Sequence, residues 1–94
     1  FEPGTNYFAC VCCEQVLFSI ESKFDSGSGW PSFFEAIAPD VLSKREDLGY
    51  GMTRTEVSCG KCNAHLGHVF DDGPKPTGLR YCINGVALKP KTSL

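Results

Sequence analysis

The sequence predicts one small, mainly β domain stapled by a metal, on three grounds. The chain has 94 residues, room for one core, and domains of this size commonly need a covalent or metal cross-link. Short apolar runs bounded by Gly, Pro, Asp and Ser recur along it, whereas helical periodicity is hard to find. Four of its six cysteines form two Cys-x-x-Cys pairs, Cys10/Cys13 and Cys59/Cys62, a spacing suited to metal chelation.

The candidate strands are Gln15 to Ile20, Gly51 to Ser58, Ala64 to Phe70, Leu79 to Asn84 and Gly85 to Lys89. Between the first two, Ser26-Gly27-Ser28-Gly29 reads as a plain loop or as a backbone small enough to approach a ligand closely. Pro31 suits the first turn of a short helix through Ser32-Phe33-Phe34-Glu35-Ala36-Ile37, which Pro39 would end. Asp71-Asp72-Gly73-Pro74 marks a turn.

Composition excludes several classes. Hydrophobic content of 41% and aromatic content of 12% are those of a globular fold, which removes disorder and fibrous architectures. The net charge of −2 comes from scattered charges, which speaks against nucleic acid and against anionic membranes. No apolar run approaches the ~20 residues that span a bilayer, and no signal peptide is recognisable. The first residue is Phe1 rather than Met, so the domain, taken as residues 1–94, is expected to be excised or processed at its N-terminus.

Structural Zn²⁺ takes four ligands in a tetrahedron, and two residues between paired thiolates let a tight turn aim both sulfurs at one ion. Cys10, Cys13, Cys59 and Cys62 would complete a closed shell with no place for substrate, so the ion would organise the fold. Redox-active pairs are the alternative, but no βαβ pattern surrounds either. A reducing intracellular setting fits free thiolates. The two pairs also echo each other, with Leu17 and Leu66 each four residues past the second cysteine, which supports pairing Cys10 with Cys13.

Cys12 and Cys82 remain. Cys12, inside the first knuckle, reads as a small packing residue. An extended backbone would put Arg80, Cys82 and Asn84 on one face and Tyr81 and Ile83 on the other, and a neighbouring guanidinium favours thiolate, the nucleophilic form. A reactive Cys82 and a buried core cysteine both stay open on spacing alone. His65 and His68, the only histidines, suit general acid or base chemistry. A regular strand would place them on opposite faces, so joint action requires a kink or bulge, for which Gly67 is the natural position; one surface and one core histidine is the alternative. Composition favours the core over a substrate wall for Trp30, the sole tryptophan.

Taken together, Lys23-Phe24-Asp25-Ser26-Gly27-Ser28-Gly29-Trp30-Pro31-Ser32-Phe33, Ala64-His65-Leu66-Gly67-His68-Val69-Phe70, Asp72-Gly73-Pro74, Arg80-Tyr81-Cys82-Ile83-Asn84 and both knuckles resemble the methionine-R-sulfoxide reductase B family. The resemblance implies two small antiparallel sheets, a zinc ion away from the active site, and reduction of methionine-R-sulfoxide in oxidised proteins by a monomer. It implies Cys82 as nucleophile, His65, His68 and Asn84 as polar pocket residues, Trp30 against the substrate methyl and Arg80 in support. Where many members carry a resolving cysteine this chain has Ser28, so the resemblance implies direct reduction by thioredoxin or another external thiol, with Cys12 or an upstream cysteine as the other resolvers. A non-catalytic zinc-stapled binding module and a zinc-ribbon nucleic-acid binder are the rival readings.

Overall fold

The computed structural model describes residues 4–27, 29–47 and 54–93. Over these residues the chain forms nine strands, β1 (Tyr7–Cys10), β2 (Val16–Ser19), β3 (Lys23–Phe24), β4 (Ser32–Phe33), β5 (Leu42–Asp47), β6 (Arg54–Cys59), β7 (His65–Phe70), β8 (Arg80–Ile83) and β9 (Leu88–Lys91), with 3-10 turns at Ile20–Ser22 and Gly85–Ala87. They make two sheets, one ordered β2-β1-β9 and one ordered β3-β4-β8-β7-β6-β5, with antiparallel pairing throughout. Among the described residues no helix is long and apolar enough to cross a membrane.

The knuckles are the tips of two hairpins built alike. In each, the residue after the second cysteine is left-handed, Glu14 at φ 64 and Asn63 at φ 66, so the chain can reverse. Each of these residues donates its N–H to the carbonyl of the first cysteine, Glu14 to Cys10 at 2.8 Å and Asn63 to Cys59 at 2.9 Å. The likeness extends into the strands. Ala9 pairs with Val16 and Phe8 with Phe18, skipping Leu17, while Ser58 pairs with His65 and Val57 with Gly67, skipping Leu66. Both skipped leucines are bulge residues, and both are fully buried. The sequence echo is therefore a structural repeat.

The core lies between the sheets. Alternation sends Val57 and Cys59 of β6, Tyr81 and Ile83 of β8 and Phe33 of β4 inward, to meet Phe8, Leu17 and Phe18 of the smaller sheet. Phe18 stacks on Phe33 with centroids 4.2 Å apart, Phe8 meets Phe33 edge-on at 5.2 Å, and Phe18 lies 5.8 Å from Tyr81. Each such buried ring contributes roughly 1.5–3 kcal/mol of transfer free energy.

Three expectations need correction. The segment from Pro31 to Ile37 forms no helix, because its backbone groups are taken by other elements. Pro31 accepts from Ile83 N–H, Phe34 donates to Ser22, Ile37 donates to Leu17, and β4 pairs with β3 and β8; a helix of two turns could not offset those bonds. Gly85–Ala87 turns rather than extends, capped by the Asn84 side chain on Val86 N–H, so the last strand starts at Leu88. It carries Pro90 where the sheet has an edge. The reversal expected at Asp71–Pro74 is closed further on, through Gly73 N–H to Gly78 and Gly78 N–H to Pro74. Of the strand expected from Gly51 to Ser58, Gly51, Met52 and Thr53 lie outside the described residues.

Candidate active site and metal centre

The repeat brings the two knuckle tips together, one from each sheet. A tetrahedral ion bound to sulfur at ~2.3 Å sets its ligand atoms ~3.8 Å apart. Cys10 Sγ lies 3.6 Å from Cys62 Sγ and Cys13 Sγ 3.5 Å from Cys59 Sγ, with all four atoms within 4.8 Å of one another. This donor set fits one ion. Gln15 closes the shell from outside, its Nε2 donating to the Val41 carbonyl at 3.0 Å and reaching Cys59 Sγ at 3.6 Å. Burial raises the Cys59 thiol, but the N–H groups of Cys62 and Lys61 and the Cys13 and Cys62 thiols outweigh it and hold Cys59 at about 7. The Ala64 N–H lowers Cys62, yet desolvation and the three neighbouring thiols push it up to about 12.

Cys12 is exposed, not the packing residue expected. Ser28 lies outside the described residues.

On the outer face of the larger sheet, antiparallel register lines up one row across five strands. Ser32 of β4 pairs with Cys82 of β8, Cys82 with His68 of β7, His68 with Glu56 of β6, and Glu56 with Arg45 of β5. Directly opposed residues share a face, so Cys82 stands between a serine and a histidine. The same face holds His65. Leu66, the bulge residue, and Gly67 are both buried, and the skipped position turns His65 and His68 to one side, ring centroids 5.7 Å apart and edge-on. A Cβ on Gly67 would stand 2.1 Å from the Cys82 carbonyl oxygen, so the strand bearing Cys82 can lie this close only to a glycine.

Trp30, Arg54, His68, Phe70 and Cys82 line a cavity of about 260 Å³. Trp30 is 51% exposed, so its ring is wall, not core. It is delivered by the small-residue loop: Gly27 and Gly29 take φ 78 and 82, and the buried Ser32 hydroxyl donates to the Trp30 carbonyl at 3.3 Å and meets the Ser26 hydroxyl at 2.8 Å. Arg80 sits behind the cavity. Its Nε and Nη2 donate to the two carboxylate oxygens of Asp72 at 2.8 and 3.2 Å, and its guanidinium lies 4.4 Å from the centroid of Phe70. Asp72's hydrogen bonds and charge, with a smaller share from Cys82, hold the guanidinium above its ordinary value against the pull of desolvation.

Asn84 does not line this cavity, since its carboxamide oxygen caps the 3-10 turn. Arg54 does line it. Nothing in the sequence marks Arg54, because its place opposite the cavity follows from β6 register, which no local pattern shows.

The arrangement can hold a small apolar group against Trp30 and Phe70 with a reacting atom over Cys82 and a proton carrier beside it. Comparison with known proteins finds a family and several relatives. A SelR domain model matches residues 2–92. Three proteins named peptide methionine sulfoxide reductase MsrB are similar. That of Herminiimonas arsenicoxydans is 60% identical over 82 residues, covering 87% of this chain and 60% of that protein. That of Pseudomonas fluorescens is 60% identical over 81 residues, covering 86% and 62%. That of Thioalkalivibrio sulfidiphilus is 56% identical over 89 residues, covering 95% and 65%. The chain thus spans less than two thirds of the length of these curated relatives.

Proposed function

The chain belongs to the SelR domain family, and on that premise we propose that it is a peptide-methionine (R)-S-oxide reductase, in which Cys82 reduces oxidised methionine in proteins. The observation that carries the reading is the pairing of Cys82 with His68 on the floor of a cavity walled by Trp30.

The Cys82 thiolate attacks the sulfoxide sulfur while His68 gives a proton to the sulfoxide oxygen. The oxygen then passes to Cys82, the S–O bond of the substrate breaks, and methionine leaves with Cys82 as sulfenic acid. Two external thiols, from thioredoxin or a similar donor, reduce that acid to thiol and water and become a disulfide. Trp30 contacts the substrate methyl, which turns the sulfur toward Cys82 and selects one epimer. His65 holds His68 edge-on, Arg80 braces Phe70, and Asn84 acts at the end of β8, where its cap fixes the chain leaving Cys82. Cys10, Cys13, Cys59 and Cys62 would hold one Zn²⁺, which would supply structural cross-linking only. Serine at position 28 cannot form a disulfide, and Cys12 belongs to a knuckle of the other sheet, which supports direct reduction by an external thiol.

Turnover of separate R and S epimers of a methionine sulfoxide peptide with a thiol reductant tests the reading. Reduction of R alone, abolished in Cys82→Ser, is expected. Reduction of S alone, or a Cys82→Ser variant that still turns over, would overturn it. Mass spectrometry after one turnover without reductant should find a sulfenic acid on Cys82, and a Cys82–Cys12 disulfide would exclude the direct route.

A further inference from the structure

The carboxylate of Glu56 ties the histidine pair to the outer half of the sheet. Its two oxygens have different partners: Oε1 accepts from Arg45 Nη2 at 2.9 Å, and Oε2 lies 3.6 Å from His65 Nδ1, within ion-pair reach. The Glu56 side chain is only 22% exposed, against 55% for His65, so the carboxylate is the fixed partner and the imidazole the one being held. In register Glu56 stands opposite His68, and His68 opposite Cys82. The bulge at Leu66 makes this meeting possible, because it turns His65 onto the face that Glu56 already occupies. The charged and titratable groups facing Glu56 from the strands packed against it are Arg45 on β5 and His65 and His68 on β7, with Arg54 two residues along its own strand.

We propose that Glu56 is a positioning residue for the reduction step. By keeping Oε2 within ion-pair reach of the Nδ1 side of His65 it favours the tautomer with a proton on Nδ1 and restrains the ring's rotation, and the restrained His65 ring packs edge-on against His68 and keeps it aimed at the sulfoxide oxygen over Cys82. Glu56 touches neither substrate nor the reacting sulfur. It acts through His65. The inference rests on the reductase reading, and it goes beyond it by adding a carboxylate to the proton-delivering machinery.

A double-variant cycle on the zinc-loaded protein tests the proposal. Glu56→Gln should lower kcat for the R epimer roughly tenfold with KM changed by less than about twofold, while the rate of Cys82 alkylation by iodoacetamide stays that of the parent. Glu56→Asp should recover part of the loss. His65→Asn should lower kcat similarly, and Glu56→Gln/His65→Asn should be no slower than His65→Asn alone. Multiplying losses in the double variant, or parental kcat in Glu56→Gln, would overturn the proposal. Histidine ring nitrogen NMR on the unmutated protein gives a reading that needs no variant: His65 should carry its neutral-form proton on Nδ1, and a proton on Nε2 would overturn the proposal. Absence of R-epimer turnover in the parent protein would instead remove the reductase reading, and it is seen before any variant is made.

Discussion

Arg80 and Asp72 are a case in which two side chains set the back wall of a site without entering it. Their paired hydrogen bonds at 2.8 and 3.2 Å hold the guanidinium against Phe70, and the Arg80 hydrogen bond holds the Asp72 carboxyl below its ordinary value. A depressed acid contributes stability that is present above its unfolded value, near 3.8, and lost as pH falls through the folded one. Melting curves of the parent and Asp72→Asn should therefore differ by a constant margin from pH 8 to pH 5 and converge below the ordinary carboxylate range; a margin that shrinks between pH 8 and 5 would show that another group carries the effect. Strand alternation in the sequence groups Arg80 with Cys82 on one face, although it leaves open whether that face is the core. Trp30 is not legible from composition, which favours the core for a lone tryptophan, whereas the loop geometry at Gly27 and Gly29 leaves the ring half-exposed. Arg54 and Glu56 give no local signal, since their importance comes from what β7 and β5 set opposite them.

Among the elements, β7 matters most, and it was partly readable. Two histidines at the wrong separation for one face, with a glycine between them, imply a bulge, and the bulge is there, with Leu66 as the extra residue. β5 was not readable because Ser43-Lys44-Arg45-Glu46-Asp47 has no apolar alternation; it is an edge strand, and charged residues are how an exposed edge resists pairing with another chain. The false helix at Pro31–Ile37 fails for the complementary reason, that long-range partners in β3 and β8 outcompete a local preference. The tightness of β7 against β8 makes a prediction at this scale. A methyl group at position 67 would meet the Cys82 carbonyl oxygen at 2.1 Å and Ile83 Cα at 3.0 Å, and neither is the end of a side chain that could swing aside. Gly67→Ala should cost about 1–3 kcal/mol by overpacking, read by chemical denaturation. It should also lower R-epimer turnover by more than the folded fraction falls, because the strand displaced is the one bearing Cys82. Turnover that simply tracks the folded fraction would place the strain elsewhere.

At the scale of the whole molecule, the cysteine cluster joins the tips of the two knuckle hairpins, with Cys10 and Cys13 from the hairpin of β1 and β2 and Cys59 and Cys62 from that of β6 and β7. The shared aromatic core of Phe8, Phe18, Phe33 and Tyr81 joins the sheets by contact, but a domain this short has a total stability of only ~5–15 kcal/mol. Structural zinc in small domains binds with ~10–16 kcal/mol near neutral pH. If the cluster holds zinc as proposed, removing the ion takes away as much free energy as the folded state has, and it leaves four thiols crowded within 4.8 Å. Incubation with a strong chelator should abolish R-epimer turnover and the β-sheet circular dichroism together, with matching time courses, and zinc should restore both. Cys13→Ser should reproduce the loss, although its side chain is nowhere in the cavity of Trp30 and Cys82. If turnover vanished while the sheet signal persisted, the ion would be acting at the reaction rather than on the scaffold. The closed set of four sulfurs stands against that outcome, because it leaves no coordination position through which a sulfoxide oxygen could be reached.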